Sequence, residues 1–281
     1  MMSIHVEEVT KAVAKMCIEA NCVLGEDLLE GYQLALEREE SAVAQEVLET
    51  LIENAKIAKE EKMPICQDTG MTVVFLELGQ DAEIEGGNLT EAINEGVRQG
   101  YREGFLRKSV VADPLQRQNT GDNTPAIIHT ELVPGDKIKL TVAPKGFGSE
   151  NMSQIKMLKP TDGVEGVKDF VLQVVEDAGS NPCPPIVVGV GIGGTFEKAA
   201  LLAKKALTRP IGIYSHQKEL AQLEEDLLQE VNQLGIGPQG FGGVTTALAV
   251  NINDYPTHIA GLPVAVNINC HVARHKECTL G

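Results

Sequence analysis

Tryptophan is absent from the sequence and aromatic residues make up only 4% of it, so there is no ready platform on which nucleic-acid bases could stack. Positive charge is also scarce. Lys and Arg number 24 against 40 Asp and Glu, a net charge of -16, whereas a phosphate backbone needs a basic footprint. Nucleic acid is excluded as a partner on these grounds, and an anionic ligand would require a local positive site. No apolar run approaches the roughly 20 residues that span a bilayer. The opening residues, MMSIHVEEVTKAVAKM, carry acids early and lack the apolar centre of a signal peptide. The expectation is a cytoplasmic protein that does not enter membranes. In a reducing compartment its six cysteines are poor candidates for disulfides. They include no C-x-x-C pair, which removes zinc ribbons and thioredoxin-type redox motifs.

What is present suits a globular protein. The chain has 281 residues, 43% hydrophobic and 23% charged, enough to bury a substantial core. Val9, Val13, Met16, Cys17 and Ala20 recur at helical spacing. A second helical region runs from about Glu26 to Lys62, with Gly31 as its weak point. Thr72–Leu78 reads as a strand, and Asn88 can cap a helix that runs to about Phe105, with Glu91 as its reciprocal partner. Pro125–Val133 and Lys137–Ala143 alternate around Pro134-Gly135-Asp136, which predicts an antiparallel pair. After an irregular stretch from Pro144 to Pro160, helices are expected over Val164–Ala178, Glu197–Leu207 and Lys218–Leu234. Strands are expected at Ile186–Val190, Val244–Val250 and Val264–Ile268, with a further candidate around Ile211–Tyr214. The pattern describes a mixed α/β (α+β) fold, a helical N-terminal region followed by mixed sheet layers flanked by helices. It reads as one domain over residues 1–281, with Lys159-Pro160 the sole candidate for an internal boundary.

The cysteines fall into groups. Cys17 and Cys22 lie on the first amphipathic helix as small buried hydrophobes, and Cys278 sits near the end, where chains fray. Cys66, Cys183 and Cys270 differ. Each stands at the edge of an expected strand beside Pro, Gly or Asn, where the backbone bends and a thiolate can point into a cleft. Three thiolates can hold an iron–sulfur cluster and leave one iron open for chemistry; the bland alternative is three unrelated cysteines. Gln67 and Asp68 follow Cys66, and His258 precedes Cys270 by twelve residues. The segments Thr120–Pro125 and Lys145–Asn151 are rich in backbone donors that can form nests for carboxylate or phosphate oxygens, though such segments are more often ordinary turns.

Six longer segments carry a resemblance. They are ICQDTGM from Ile65, TGDNTPAIIHTELVPGDKI from Thr120, APKGFGSENMSQIKML from Ala143, GVGIGGTFEKAALLAKKAL from Gly189, GIGPQGFGGVTTALAV from Gly235 and THIAGLPVAVNINCHVARH from Thr257. Together they resemble the α subunit of class I fumarate hydratases and L-tartrate dehydratases, most clearly from Met63 to Arg274. The resemblance implies the cluster-binding fold of these hydro-lyases and a [4Fe-4S] cluster on Cys66, Cys183 and Cys270, its fourth iron acting as Lewis acid. It further implies substrate contacts from Gln67, Asp68 and His258, and from Arg107 and the backbone of Gly148. The family's base lies in a second, β-type domain. This chain ends eleven residues after Cys270, so a β subunit is expected as partner, in an α2β2 assembly acting on a dicarboxylate, fumarate ahead of L-tartrate.

One competing reading comes from a different class. Gly189-Val-Gly-Ile-Gly-Gly194 matches the G-x-G-x-x-G dinucleotide fingerprint after a strand and before a helix. No acid stands about 20 residues on to hold a ribose, and glycines at such a turn also serve tight packing.

Overall fold

The structure is a computed structural model that describes residues 3–281. In chain order its elements are β1 (Ile4–His5), α1 (Val6–Cys22), α2 (Glu26–Arg38), α3 (Ala42–Glu61), β2 (Met71–Gly79), β3 (Ile84–Glu85), α4 (Leu89–Glu103), β4 (Ile127–Val133) and β5 (Ile138–Lys145). There follow α5 (Phe147–Glu150), β6 (Gln154–Leu158), α6 (Gly163–Ala178), β7 (Ile186–Gly193), α7 (Phe196–Ala206), α8 (Lys218–Gln233), β8 (Ala247–Tyr255), β9 (Leu262–Asn269) and β10 (Lys276–Leu280). The mixture of helices and sheets is the expected fold class. No helix among the described residues is long and apolar enough to cross a membrane. The chain forms two compact units. Of the described residues, one comprises 3–24, 54–147 and 274–281, the other 25–53 and 148–273, so the crossovers do not fall at Lys159-Pro160.

The first unit is built on a four-stranded sheet in the order β10-β5-β2-β4. Val9, Val13, Met16 and Cys17 of α1 meet Ile93, Val97 and Tyr101 of α4, with Leu76, Ile138, Leu140 and Val142 of the sheet, in one buried cluster. Each such side chain contributes roughly 1.5–3 kcal/mol through removal from water. Asn88 caps α4 by accepting the Glu91 amide at 3.1 Å.

The expected β4–β5 hairpin does not form. β2 lies between the two strands, parallel to β4 and antiparallel to β5. Its end is threaded into the Pro134-Gly135-Asp136 connection, where Gly79 N donates to Lys137 O, Gln80 N to Val133 O and Asp81 N to Gly135 O. A Cβ on Gly79 would stand 2.5 Å from Gly135 O, so only glycine admits this insertion. Alternation and a turn signal specify strands, and the more apolar β2 takes the central place between them. Cys278 also departs from expectation. It lies in β10, opposite Leu140 of β5, rather than in a frayed end.

The second unit has a sheet in the order β6-β9-β7-β8. On one face, Val167, Val171 and Val174 of α6 and Leu227 and Val231 of α8 pack with Val188, Val190, Val266 and Ile252. On the other face, Ala199 and Ala203 of α7 pack with Ala265. The glycines of the apparent fingerprint explain themselves here. Gly189 and Gly191 lie within β7, where a Cβ would come within 2.2 Å of Ala203 O and 2.0 Å of Ala199 O. They allow α7 to press against the strand, and the packing reading holds. Ile211–Tyr214 forms turn and irregular backbone and not a strand, while β6 arises within the stretch that looked irregular.

The long N-terminal helical region is two helices. The break is not at Gly31, which stays inside α2 against Leu248 and Ile211, but at Glu39. The buried Glu39 carboxylate accepts the amides of Glu40, Ser41 and Val244, so the side chain that ends α2 also fastens the segment entering β8. The outer edge of β8 is closed in a similar way. The fully buried Glu224 accepts Ile252 N, while its ion-pair partner Arg209 donates to Ile252 O. At Ile252 this pair occupies both backbone groups that an edge strand would leave open. Glu224→Ala would leave the partly buried Arg209 guanidinium without its carboxylate and Ile252 N without its acceptor, so a loss of roughly 2–4 kcal/mol is expected. Urea unfolding followed by circular dichroism checks this, and a loss below about 1 kcal/mol would contradict the assignment.

Candidate functional site

In the first unit the site residues gather on the segment between α3 and β2. Ile65 is held by its amide on Asn21 O at 2.9 Å and by Asn54 Nδ2 on its carbonyl at 3.0 Å, which sets where Cys66 begins. Cys66 and Asp68 are half-buried and Gln67 is exposed. Asp68 accepts Gly70 N at 3.0 Å on Oδ1 and Phe147 N at 2.8 Å on Oδ2, and its backbone carbonyl accepts Arg274 Nη2. Thr69 Oγ1 donates to Arg107 O at 3.0 Å, which brings the exposed Arg107 beside the Gln67-Asp68 segment. Arg107 takes part in no ion pair among the described residues. Buried Tyr101 donates to Thr69 O and Gly70 O at 2.7 and 3.0 Å, and Asn123 Nδ2 donates to Gly70 O at 3.2 Å. Burial pushes the Tyr101 hydroxyl well above its ordinary range, so it remains a donor.

The Thr120–Pro125 segment is a turn that spends much of its donor capacity internally, Thr120 N on Val110 O, Gly121 N on Asn119 Oδ1 and Thr124 N on Asp122 Oδ1. Asp122 accepts the Thr124 amide at 3.0 Å, the Thr124 hydroxyl at 2.8 Å and Arg98 Nε at 3.0 Å. Partial burial would raise its carboxyl, but these bonds outweigh burial and bring it down to about 2.

In the second unit Cys183 precedes β7 and Cys270 follows β9. Because β7 and β9 are antiparallel with Val187 opposite Asn269, both cysteines stand at the same end of the sheet. Cys183 is exposed and has a positive φ of 55°, a conformation uncommon outside glycine. The His271 amide donates to Cys183 O at 3.1 Å and ties the two turns together. Buried Tyr32 of α2 donates to His271 O, its hydroxyl pushed up by burial and by the neighbouring Cys270 charge. Gln239 fixes Pro184 O through its amide at 2.7 Å and its side chain at 2.6 Å. Gly148 belongs to this end too, opening a segment whose Glu150 accepts Asn267 Nδ2 at 3.0 Å and whose Ser153 accepts Ile268 N at 3.1 Å. A Cβ on Gly148 would have as its nearest neighbour Asn181 O at 3.8 Å.

His258 is placed differently. It is exposed in the turn between β8 and β9, its Nδ1 accepting Ala260 N at 3.2 Å, at the opposite end of the sheet from Cys183 and Cys270. The eight residues of β9 put roughly 26 Å between those ends, at about 3.3 Å per residue. A cavity of about 370 Å³ in this unit, between α2, α8 and β8, is lined by Leu34, Arg38, Tyr214 and Leu228 among others, and by none of the residues singled out above.

Among the described residues no group of three or more His, Cys, Asp or Glu side chains is set to hold a metal ion. The cysteines nonetheless divide by setting. Burial pushes Cys17 up to about 12, against the opposing effect of the neighbouring Thr72 hydroxyl, and burial also raises Cys22 and Cys278. Burial disfavours the thiolate form at those three. Cys66, Cys183 and Cys270 lie in turns at strand ends, none of them buried, which is the donor chemistry that a thiolate-held group needs.

Comparison with known proteins supplies the class. The family model described as fumarate hydratase (fumerase) matches residues 10–279. The chain therefore belongs to the fumarate hydratase family, and is a hydro-lyase. At the level of individual proteins, it is 45% identical over 273 residues to the Methanocaldococcus jannaschii protein named "Putative L(+)-tartrate dehydratase subunit alpha", covering 95% of each chain. It is 30% identical over 279 residues to the L(+)-tartrate dehydratase subunit alpha of Escherichia coli K12, covering 98% of this chain and 91% of that one.

Two outcomes are expected. Asp122 titrates below its unfolded value, so its contribution is complete above about pH 4 and is lost as pH falls towards 2. At about 1.4 kcal/mol per pH unit, the stability gap between wild type and Asp122→Asn should reach at most about 2 kcal/mol at pH 5 and shrink towards pH 2; a gap flat across that range would refute the assignment. In the metal-free native chain, iodoacetamide followed by peptide mass spectrometry should label Cys66, Cys183 and Cys270 at least tenfold faster than Cys17, Cys22 and Cys278.

Proposed function

We propose that this chain is the α subunit of a two-component iron–sulfur hydro-lyase that adds water to, or removes it from, a four-carbon dicarboxylic acid. A [4Fe-4S] cluster held by Cys66, Cys183 and Cys270 fits the donor set. When bound, it supplies a Lewis-acidic iron for the hydroxyl that leaves or arrives. The observation that carries the reading is the division of the cysteines, three in turns outside helices and strands and none of them buried, against Cys17 and Cys22 buried in α1 and Cys278 in the paired strand β10, with Gln67 and Asp68 directly after the first.

The chain's own residues have definite parts in this reading. Gln67 offers both amide donors and a carbonyl acceptor from an exposed position. Asp68 uses one lone pair of each oxygen on backbone amides, which orients the carboxyl and leaves its remaining lone pairs to a ligand. The unpaired Arg107 guanidinium answers the need for local positive charge in an acidic chain, and can meet a substrate carboxylate with two parallel bonds. Gly148 would contribute backbone. His258, if it contacts substrate, does so from its place at the other end of the second unit's sheet.

The general base and further cationic ligands belong to a β subunit in this proposal, a partner that fits the α-subunit names of the relatives. The proposed substrate is fumarate, hydrated to L-malate. L-tartrate, dehydrated to oxaloacetate, is the second reading, and the names of those relatives favour it. The test is anaerobic co-expression with the β-type partner, iron and sulfide analysis, and assays on both substrates. Cys66→Ser, Cys183→Ser and Cys270→Ser should each lower bound iron to less than a tenth of wild type. The chain without its partner should show less than 1% of the activity of the pair. Full turnover by the isolated chain, or iron retained in all three variants, would defeat the proposal.

A further inference from the structure

We infer that Arg274 is a positioning residue for Asp68, an inference that rests on the substrate-facing role proposed for that carboxylate. Arg274 is buried, with 5% of its surface exposed. Its Nε donates to Pro144 O at 3.2 Å, its Nη2 donates to Asp68 O, and its Nη1 has no hydrogen-bond partner. Contrast Arg209, whose partly buried guanidinium is paired with the Glu224 carboxylate. Among the described residues Arg274 is in no ion pair, yet a buried charge is costly to keep without compensation. The carboxylate that shares its surroundings is that of Asp68. A Cβ built on Gly146 would lie 3.2 Å from Asp68 Oδ2 and 3.5 Å from Arg274 Nη2, so the two groups flank the same glycine.

The guanidinium thereby fixes both partners of one hydrogen bond. On one side it holds the backbone of Asp68. On the other it holds Pro144, at the end of the strand that leads through Lys145 and Gly146 to the Phe147 amide that Asp68 Oδ2 accepts. Gly70 completes the seat. Its φ of +76° and the 2.7 Å that a Cβ would leave to the Lys145 backbone press the Asp68 segment against that same strand end. A planar fork with several donors spans two carbonyls in this way; a lysine ammonium, a single point of charge on a flexible stem, does not hold them in the same orientation.

Two measurements test the role. In the full chain, hydrogen–deuterium exchange of Arg274→Ala should speed exchange at least tenfold in peptides covering residues 66–70 and 146–148, with β8 unchanged. Unaltered protection at those amides would overturn the inference whatever the activity. With the β-type partner present, Arg274→Ala and Arg274→Lys should each lower kcat/KM at least tenfold, and methylguanidinium should restore part of the loss in Arg274→Ala alone. In the cycle with Asp68→Asn, the double variant Asp68→Asn/Arg274→Ala should be no worse than Asp68→Asn by more than about twofold, because a group that acts only through Asp68 has nothing left to position. Losses that multiply would refute it. A wild-type pair inactive on both fumarate and L-tartrate would instead remove the functional reading, and the exchange result would still decide whether Arg274 orders the segment.

Discussion

The second unit turns on one hydrogen bond, from the His271 amide to the carbonyl of Cys183. The two residues are far apart in sequence, and their turns could diverge at the end of the sheet. The antiparallel register of β7 and β9 brings them level, and the bond locks them there. Around it the backbone is held by side chains that carry no chemistry of their own: Tyr32 on the His271 carbonyl, Gln239 on that of Pro184, and Glu39 on the amide that leads into β8. Rigid support of this kind lets a turn present a thiol in a defined direction without burying it.

The first unit solves the same problem by different means. Here no sheet register aligns the site. The Cys66–Gly70 segment is irregular, and irregular backbone holds a shape only where its polar groups find partners. Tyr101, Asn123, Arg274 and the Asp68 carboxylate supply them, several reaching from elements distant in sequence. The acidity of the chain then has a simple reading. Negative charge lies mostly over the helices, while the segment proposed to meet an anionic substrate is joined through Thr69 to Arg107, which takes part in no ion pair among the described residues.

The glycine-rich segment at Gly189 shows how a motif and its physical cause can separate. The same spacing that brings a backbone close to a pyrophosphate also brings a helix close to a strand, since both need the space a Cβ would fill. Which use applies depends on what stands opposite, and here it is the carbonyls of Ala199 and Ala203. Tyr101 and Arg274 were silent for the converse reason. A tyrosine in an amphipathic helix and an arginine near a terminus have no pattern that betrays the carbonyls they will meet, although Asn123 sat in a segment already noted for its polar density.

Much was decided locally and could be read directly. The helices of the core follow from apolar residues at 3.6-residue spacing, the Asn88 cap from its side-chain acceptor, and the buried character of Cys17 and Cys22 from their place on an apolar stripe. The family was legible as well, because six long segments in order constrain more than any single motif. Tertiary structure decided the rest. That β2 enters between β4 and β5, that Cys278 belongs to a paired strand, that the N-terminal helix breaks at Glu39, and that His258 stands across the sheet from Cys183 and Cys270 are all matters of non-local pairing. Local sequence sets each segment's preferred conformation, but strand order and the partner of a buried polar group are chosen by contacts between distant residues. No window of sequence contains both sides of such a contact.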